Sequence, residues 1–128
     1  MNSFEGSGAA GGLGAGCIYF LNGKLEAGIE TILKLNNFKE EIKDADLIIT
    51  GEGKLDNQSF DGKAISGITK EANGKEIIII CGINECEADL EGIKIYETSE
   101  GISIKESLES PQKHLRNTIK KMIKDLKM

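Results

Sequence analysis

The chain has 128 residues, 39% of them apolar and 29% charged, with a formal net charge of −5. That length suits one ordinary domain, and the balance fits a folded globular chain rather than a disordered one. Net negative charge argues against a nucleic-acid partner, no apolar run reaches membrane-spanning length, and the opening MNSFEGSG lacks the apolar core of a signal peptide.

Residues 1–24 form a glycine-rich loop and a helix. The loop, Gly6 to Gly16, feeds an apolar helix around Gly12–Leu21, which Asn22-Gly23 ends. Leu25, Ile29, Ile32 and Leu33 then recur at helical spacing, and Phe38, Ile42 and Ala45 predict another short helix. At Leu47–Thr50 the period changes to a short apolar run stopped by Gly51, the pattern of a buried strand. A polar loop follows over Gly51–Gly62, and Ala64–Ala72 reads as a helix with Ile65, Ile68 and Ala72 on one face, closed by Asn73-Gly74.

Ile77–Cys81 is a second run that is apolar on both faces, stopped by Gly82. Ile93–Tyr96 is a weaker third strand. Ser110 can cap a last helix with Pro111 at its first position and Leu115, Ile119, Met122, Ile123 and Leu126 as its buried stripe. Basic residues between Lys113 and Lys127 alternate with that stripe and read as its wetted face. Strands alternating with helices predict an α/β fold: a three-layer, Rossmann-like partial domain with a mostly parallel sheet, in which Leu47–Thr50 and Ile77–Cys81 are parallel neighbours. Three strands make a small sheet, and a glycine loop with no strand before it is an odd start, so residues 1–128 read as one incomplete domain.

Three cysteines, Cys17, Cys81 and Cys86, form no CxxC pair, and one histidine accompanies them. This argues against a zinc site and for a reducing, cytoplasmic setting. Cys81 reads as a buried core thiol and His114 as a surface histidine. Gly82 either lets a ligand approach the strand end or only makes a turn.

Two segments could carry chemistry. In EGSGAAGGLGAG, Gly6, Gly8 and Gly11 satisfy GxGxxG, but no strand precedes them as the dinucleotide fingerprint requires. Glycines that bring backbone N–H groups close to an anion, ahead of a helix N-terminus, are one reading. Glycines that let helices pack closely are the other. The second segment, ITGEGKLDNQSFDGKA (Ile49 to Ala64), begins where a strand ends, the position at which open α/β sheets bind ligands. Glu52 between two glycines, Asp56, Asp61 and Lys63 suit phosphoryl transfer: acids hold Mg²⁺ or receive a hydroxyl proton, and a lysine offsets phosphate charge. A solvated loop with incidental charges is the plainer reading.

The words GSGAAGGLGAG, ADLIITGEGKLDNQSFDGKAISGI and IIIICG, in this order, resemble the carboxy-terminal part of the type-1 glycerate kinase family. That family reads GAGAAGGxG, then ADLVITGEGRxDxQTxxGKxPxGVA, then an apolar strand ending in Ala-Gly. The resemblance implies transfer of phosphate from ATP, with Mg²⁺, to D-glycerate, giving 2-phosphoglycerate in a cleft between two domains. The matching loop residues are Gly6, Gly8, Ala9, Ala10, Gly11, Gly12 and Gly14. The long motif contributes Asp46, Thr50, Gly51, Glu52, Gly53, Asp56, Gln58, Gly62, Lys63 and Gly67. In that frame Asp56 is expected to serve metal or base, Glu52 metal or substrate hydroxyl, and Lys63 phosphate charge. Gly6, Gly8, Gly11, Gly12, Thr50, Gly51, Gly53 and Gln58 are expected to line the phosphate or substrate site.

Departures from the family pattern are Glu5 and Ile65, where prolines are usual, and a short stretch after Gly82. The family's amino-terminal segment, with its Asp-Ser-Phe-Lys type motif, has no counterpart here. The isolated chain is therefore expected to be inactive, with a partner in that segment supplied in trans or in a second copy. The alternatives are a non-catalytic anion-binding module that complements the absent half and an unrelated phosphate-binding α/β domain. A shared ligand would require the Gly6–Gly14 and Gly51–Lys63 loops to lie together at one edge of the sheet.

Overall fold

A computed structural model describes residues 6, 8–60, 63–86 and 90–126. Its elements are α1 (Ala9–Leu21), α2 (Gly28–Leu35), α3 (Phe38–Glu41), β1 (Leu47–Leu55), a 3₁₀ turn (Asn57–Phe60), α4 (Ala64–Ala72), β2 (Glu76–Asn84), β3 (Ile93–Glu97), α5 (Ile104–Glu109) and α6 (Pro111–Asp125).

The three strands form one parallel sheet in the order β1-β2-β3. Ile48 lies opposite Ile77, and Ile77 opposite Ile93. The α/β class and the parallel pairing of the two isoleucine-rich runs are as the sequence predicts. A run apolar on both faces favours cover above and below: β2 has it, with Ile78 and Ile79 almost fully buried, whereas Ile49 of β1 remains half exposed.

One face of the sheet holds the main core. Ile48, Ile77, Ile79 and Cys81 pack with Ile65 and Ala72 of α4 and with Ile42, and Phe38, Ile68, Ile93 and Ile95 close its margins. Each such isoleucine contributes about 2–3 kcal/mol when buried. α2 lies behind α4, and a Cβ at Gly67 would collide with the Ile29 side chain, so only glycine lets these helices approach this closely. Lys75 ties the layer to the sheet's entry: its Nζ donates to the carbonyls of Lys43 (3.0 Å) and Ala45 (2.8 Å). The opposite face carries Ile49, Ile78, Ile80 and Tyr96. The Tyr96 hydroxyl donates to Asp125 Oδ2 at 3.3 Å, which sets α6 over that face.

Several boundaries differ from expectation. β1 does not stop at Gly51; it continues through Leu55, so Gly51, Glu52 and Gly53 belong to a strand and not to a polar loop. β2 likewise runs past Gly82 to Asn84. Gly82 is neither a turn nor a ligand gap. A Cβ there would strike the Gly53 carbonyl oxygen, so glycine permits the close β1–β2 approach and allows both strands to extend. The buried face of α6 is also rotated from the predicted stripe. Thr118 and Met122 are buried, whereas Leu115 and Ile123 are exposed, and His114 is half-buried. Ser110 precedes Pro111 as expected but makes no side-chain cap bond. α5, whose start is capped by the Ser103 side chain accepting from Glu106 N–H, is absent from the predicted elements, although Ser103 and Glu106 have capping-box spacing and Ile104 and Leu108 are one helical turn apart.

Cys81 is buried as expected, and burial, with the Glu97 charge adding to it, pushes its thiol up to about 11.

Gly82→Ala is expected to destabilise the chain by about 1–3 kcal/mol through overpacking against backbone. Gly53→Ala, where a Cβ meets open space, should cost less. Urea unfolding of the two variants side by side checks the pair; equal losses would mean that the Gly53–Gly82 approach does not limit β1–β2 pairing.

Candidate functional site

The long motif folds into the carboxyl end of β1 and its passage to α4. Leu55, fully buried, anchors the strand end, and the chain turns through the 3₁₀ helix before α4 begins. Asp56 stands at the entrance to that turn. Its Oδ1 accepts from Ser59 N–H at 3.0 Å and from Ser59 Oγ at 3.1 Å, while the Asp56 N–H donates to Ser59 Oγ at 3.1 Å. Asp56 and Ser59 thus cap each other reciprocally, giving a hydrogen-bonded turn within the stretch expected as a polar loop.

Partial desolvation pushes the Asp56 carboxyl up. The hydrogen bonds from Ser59, the nearby Lys63 charge and backbone bonding at Gln58 together outweigh it and hold the group below the ordinary carboxylate range. Lys63 is the exposed residue immediately ahead of α4, and its carbonyl accepts the Gly67 N–H at 3.1 Å. An ionised acid, a lysine and the N-terminus of a nine-residue helix therefore meet at this strand end.

Lys54 and Glu85 form an exposed ion pair (2.8 Å) across the ends of β1 and β2. The Lys54 pKa is raised, first by its hydrogen bond to Glu85, with further support from the charges of Glu85 and Asp56. Glu52 is half-buried in β1 opposite Cys81, and its Oε1 accepts from Gly53 N–H at 3.0 Å. Thr50 is half-buried opposite Ile79, Gly51 and Gly53 are exposed in the same strand, and Gln58 is exposed in the 3₁₀ turn. Asp61 and Gly62 lie outside the described residues.

The glycine segment has a different character. Gly6 sits in a turn whose carbonyl accepts from Ala9 N–H (3.0 Å), and Gly8 precedes α1. Ala10, Gly11 and Gly12 have φ of 50°, 66° and 94°, three left-handed residues in a row that kink the start of α1. Nothing lies within 4 Å of a would-be Cβ at Gly8, Gly11 or Gly12. Close packing is therefore not what glycine serves at these three positions; at Gly11 and Gly12 it serves backbone conformation. Among the described residues, no hydrogen bond or ion pair joins this segment to Glu52, Asp56 or Lys63. The Lys63 charge is felt at Asp56, although no ion pair joins the two among the described residues.

Ser59 is the residue that motif reading passed over. It is 2% exposed and holds the turn together. The signal was available: the family pattern carries a hydroxyl residue, threonine, at this place in its motif.

The donor set fits a hard cation only in part. Among the described residues no three His, Cys, Asp or Glu side chains cluster tightly enough to hold a metal alone. Mg²⁺ commonly uses one or two carboxylates together with substrate phosphates, and Asp56 at a strand end suits that mode.

An open parallel sheet covered by helices, with its densest motif at one strand's carboxyl end, defines an α/β protein. The profile of the Glycerate kinase family matches residues 1–127, and the chain belongs to that family. It is 51% identical over 82 residues to a glycerate kinase of Halalkalibacterium halodurans, covering 62% of this chain and 22% of that one. It is 36% identical over 114 residues to a glycerate kinase of Neisseria meningitidis, covering 88% and 30%. A crystal structure assigned to a glycerate kinase 2 of Salmonella typhimurium superposes with a TM-score of 0.65 at 31% identity, over 95% of this chain and 33% of that one. The chain thus spans between about a fifth and a third of the length of these relatives.

In the metal-free chain the Asp56 carboxyl is expected to titrate below the ordinary value and to move up toward it in Ser59→Ala and in Lys63→Met. Because the folded value is the lower one, the stability linked to this group is present above the unfolded carboxylate pKa and fades as pH falls through the folded one. Carboxyl-detected NMR titration reads the midpoint; an unshifted midpoint in Ser59→Ala would remove Ser59 as its cause.

Proposed function

We propose that this chain is the carboxy-terminal segment of a cytoplasmic glycerate kinase, contributing one wall of a site that phosphorylates D-glycerate to 2-phosphoglycerate with ATP. The observation that carries the reading is the Asp56–Ser59–Lys63 arrangement at the carboxyl end of β1, on the motif where the family likeness is densest.

In this reading a glycerate hydroxyl oxygen attacks the γ-phosphorus of ATP, the bond to the β-phosphate oxygen breaks, ADP leaves, and the hydroxyl proton passes to a carboxylate. Asp56, held ionised by Ser59 and Lys63, either receives that proton or helps hold Mg²⁺; when bound, the ion neutralises phosphate charge. Lys63 and the N-terminus of α4 attract the phosphate, while Glu52 orients the substrate hydroxyl or joins the metal's donors. The kinked, left-handed start of α1 offers backbone N–H groups to a phosphate. One wall leaves water in the site and weakens each of these contacts, so the isolated chain is inactive.

A second reading is favoured by exposed apolar side chains, among them Tyr19, Phe20 and Leu21, at 72%, 87% and 76% exposure. It is a non-catalytic module that binds the rest of a kinase polypeptide without turning over.

A coupled ADP assay decides between them. The chain alone should show no measurable turnover, and turnover should appear when the remaining kinase polypeptide is supplied. In that restored enzyme Asp56→Asn and Lys63→Met should each lower the rate about 10²–10⁴-fold. A complex that forms but never turns over supports the module. Near-normal rates in both variants would return the turn to a structural role.

A further inference from the structure

The charges of α6 are not spread evenly around it. The helix carries Lys113, Arg116, Lys120, Lys121 and Lys124 against a single acid, Asp125. Lys121 pairs with Glu100 at 2.6 Å, and Asp125 accepts from the Tyr96 hydroxyl, so these two charges are engaged with the body of the chain. Among the described residues no ion pair engages Lys113, Arg116, Lys120 or Lys124. Residues four apart line up along a helix surface, and α6 sorts into rows on that spacing. His114, Thr118 and Met122 form the row turned inward, the first half-buried and the other two buried. Leu115, Ile119 and Ile123 form the row beside it, apolar throughout, with Leu115 42% and Ile123 41% exposed. Arg116, Lys120 and Lys124 form the next row outward, and all three are exposed. An apolar row and a cationic row therefore run side by side for about 12 Å of helix.

We infer that this face of α6 is a docking surface for an anionic lipid bilayer, on which the helix lies parallel to the membrane plane. A row of cations alone suits any polyanion. The apolar row beside it selects the class. A nucleic-acid backbone offers nothing to Leu115 and Ile123, whereas a bilayer interface offers headgroup phosphates to the cations and acyl chains, just beneath, to the aliphatic side chains. No described helix is long and apolar enough to cross a membrane, so the contact is a peripheral one. The whole chain carries a net charge of −5, and its acidic remainder is repelled by the same surface. That repulsion turns α6 toward the lipid and keeps the attachment weak and salt-sensitive. None of the residues involved belongs to the proposed phosphoryl-transfer site.

The test is co-sedimentation of the full chain with sucrose-loaded vesicles, either phosphatidylglycerol mixed with phosphatidylcholine or phosphatidylcholine alone. The chain should pellet with the acidic vesicles at low salt and not with the neutral ones. It should be released at about 1 M salt, where the screening length falls to about 3 Å. The double variant Lys120→Glu, Lys124→Glu should lower the partition coefficient about tenfold or more. Ile123→Ser should lower it about threefold or more while leaving the charges in place. Lys34→Glu with Lys39→Glu reverses two exposed lysines of α2 and α3, makes the same change in net charge and should lower binding far less. Matching circular dichroism of the variants confirms that each one folds. Docking on lipid is overturned by failure to pellet with acidic vesicles, by equal pelleting with neutral ones, by an undiminished Ile123→Ser, or by equal loss in the Lys34, Lys39 pair. Tighter binding to duplex DNA than to the acidic vesicles at the same salt also overturns it, since α6 would then be a site for nucleic acid.

Discussion

The parallel pairing of β1 with β2 is the constraint on which everything else rests. It needs backbone to approach backbone at Gly53 and Gly82, and glycine at position 82 is what allows it. With the strands in register to their ends, Leu55 reaches the core and Asp56 is delivered to the strand's carboxyl end. A shorter β1 would leave the acid on an untethered loop. The lysine and helix terminus that share its surroundings follow from the crossover itself, because the chain must turn here to enter α4 and return as β2.

The site is built from local bonds more than from distant contacts. Asp56 and Ser59 are three residues apart and satisfy each other, so the geometry of this turn is carried within the motif. The glycine segment lacks such closure. A Cβ at its left-handed Gly11 or Gly12 would meet open space.

Much of this was legible in the residues. Continuous apolar runs stopped by glycine pointed to β1 and β2 and their parallel sense, because strands of parallel sheets tend to be apolar on both faces; β2 is so covered, whereas β1 at the edge leaves Ile49 half exposed. The ends were not legible. Gly51 and Gly82 resemble strand terminators, yet both lie inside strands, since a glycine that stops one strand and a glycine that admits its neighbour are the same letter. Of the expected α6 stripe, Met122 is buried and Ile119 and Leu126 are half-buried, but Leu115 and Ile123 are exposed and the polar Thr118 joins the buried line. Ser59 was missed because attention falls on charges in a polar turn, while the fixed hydroxyl beneath them leaves no signature in composition.

The kinked first helix has a thermodynamic consequence. α1 is thirteen residues long, contains Gly11, Gly12, Gly14 and Gly16, and leaves Leu13, Tyr19, Phe20 and Leu21 largely in water. Glycine costs about 1 kcal/mol per position against alanine in a helix, and helices of this length are marginal without packing. Its opening free energy therefore belongs at the low end of the molecule's range, far below that of β1 and β2. Whatever covers its apolar side also shifts it toward the ordered state, and so does an anion on its N-terminal amides. Two ligands that favour one ordered state strengthen each other by the same factor. Under the proposed function, phosphate affinity and assembly would therefore be a single linked quantity, with the glycine-rich helix as the element that couples them.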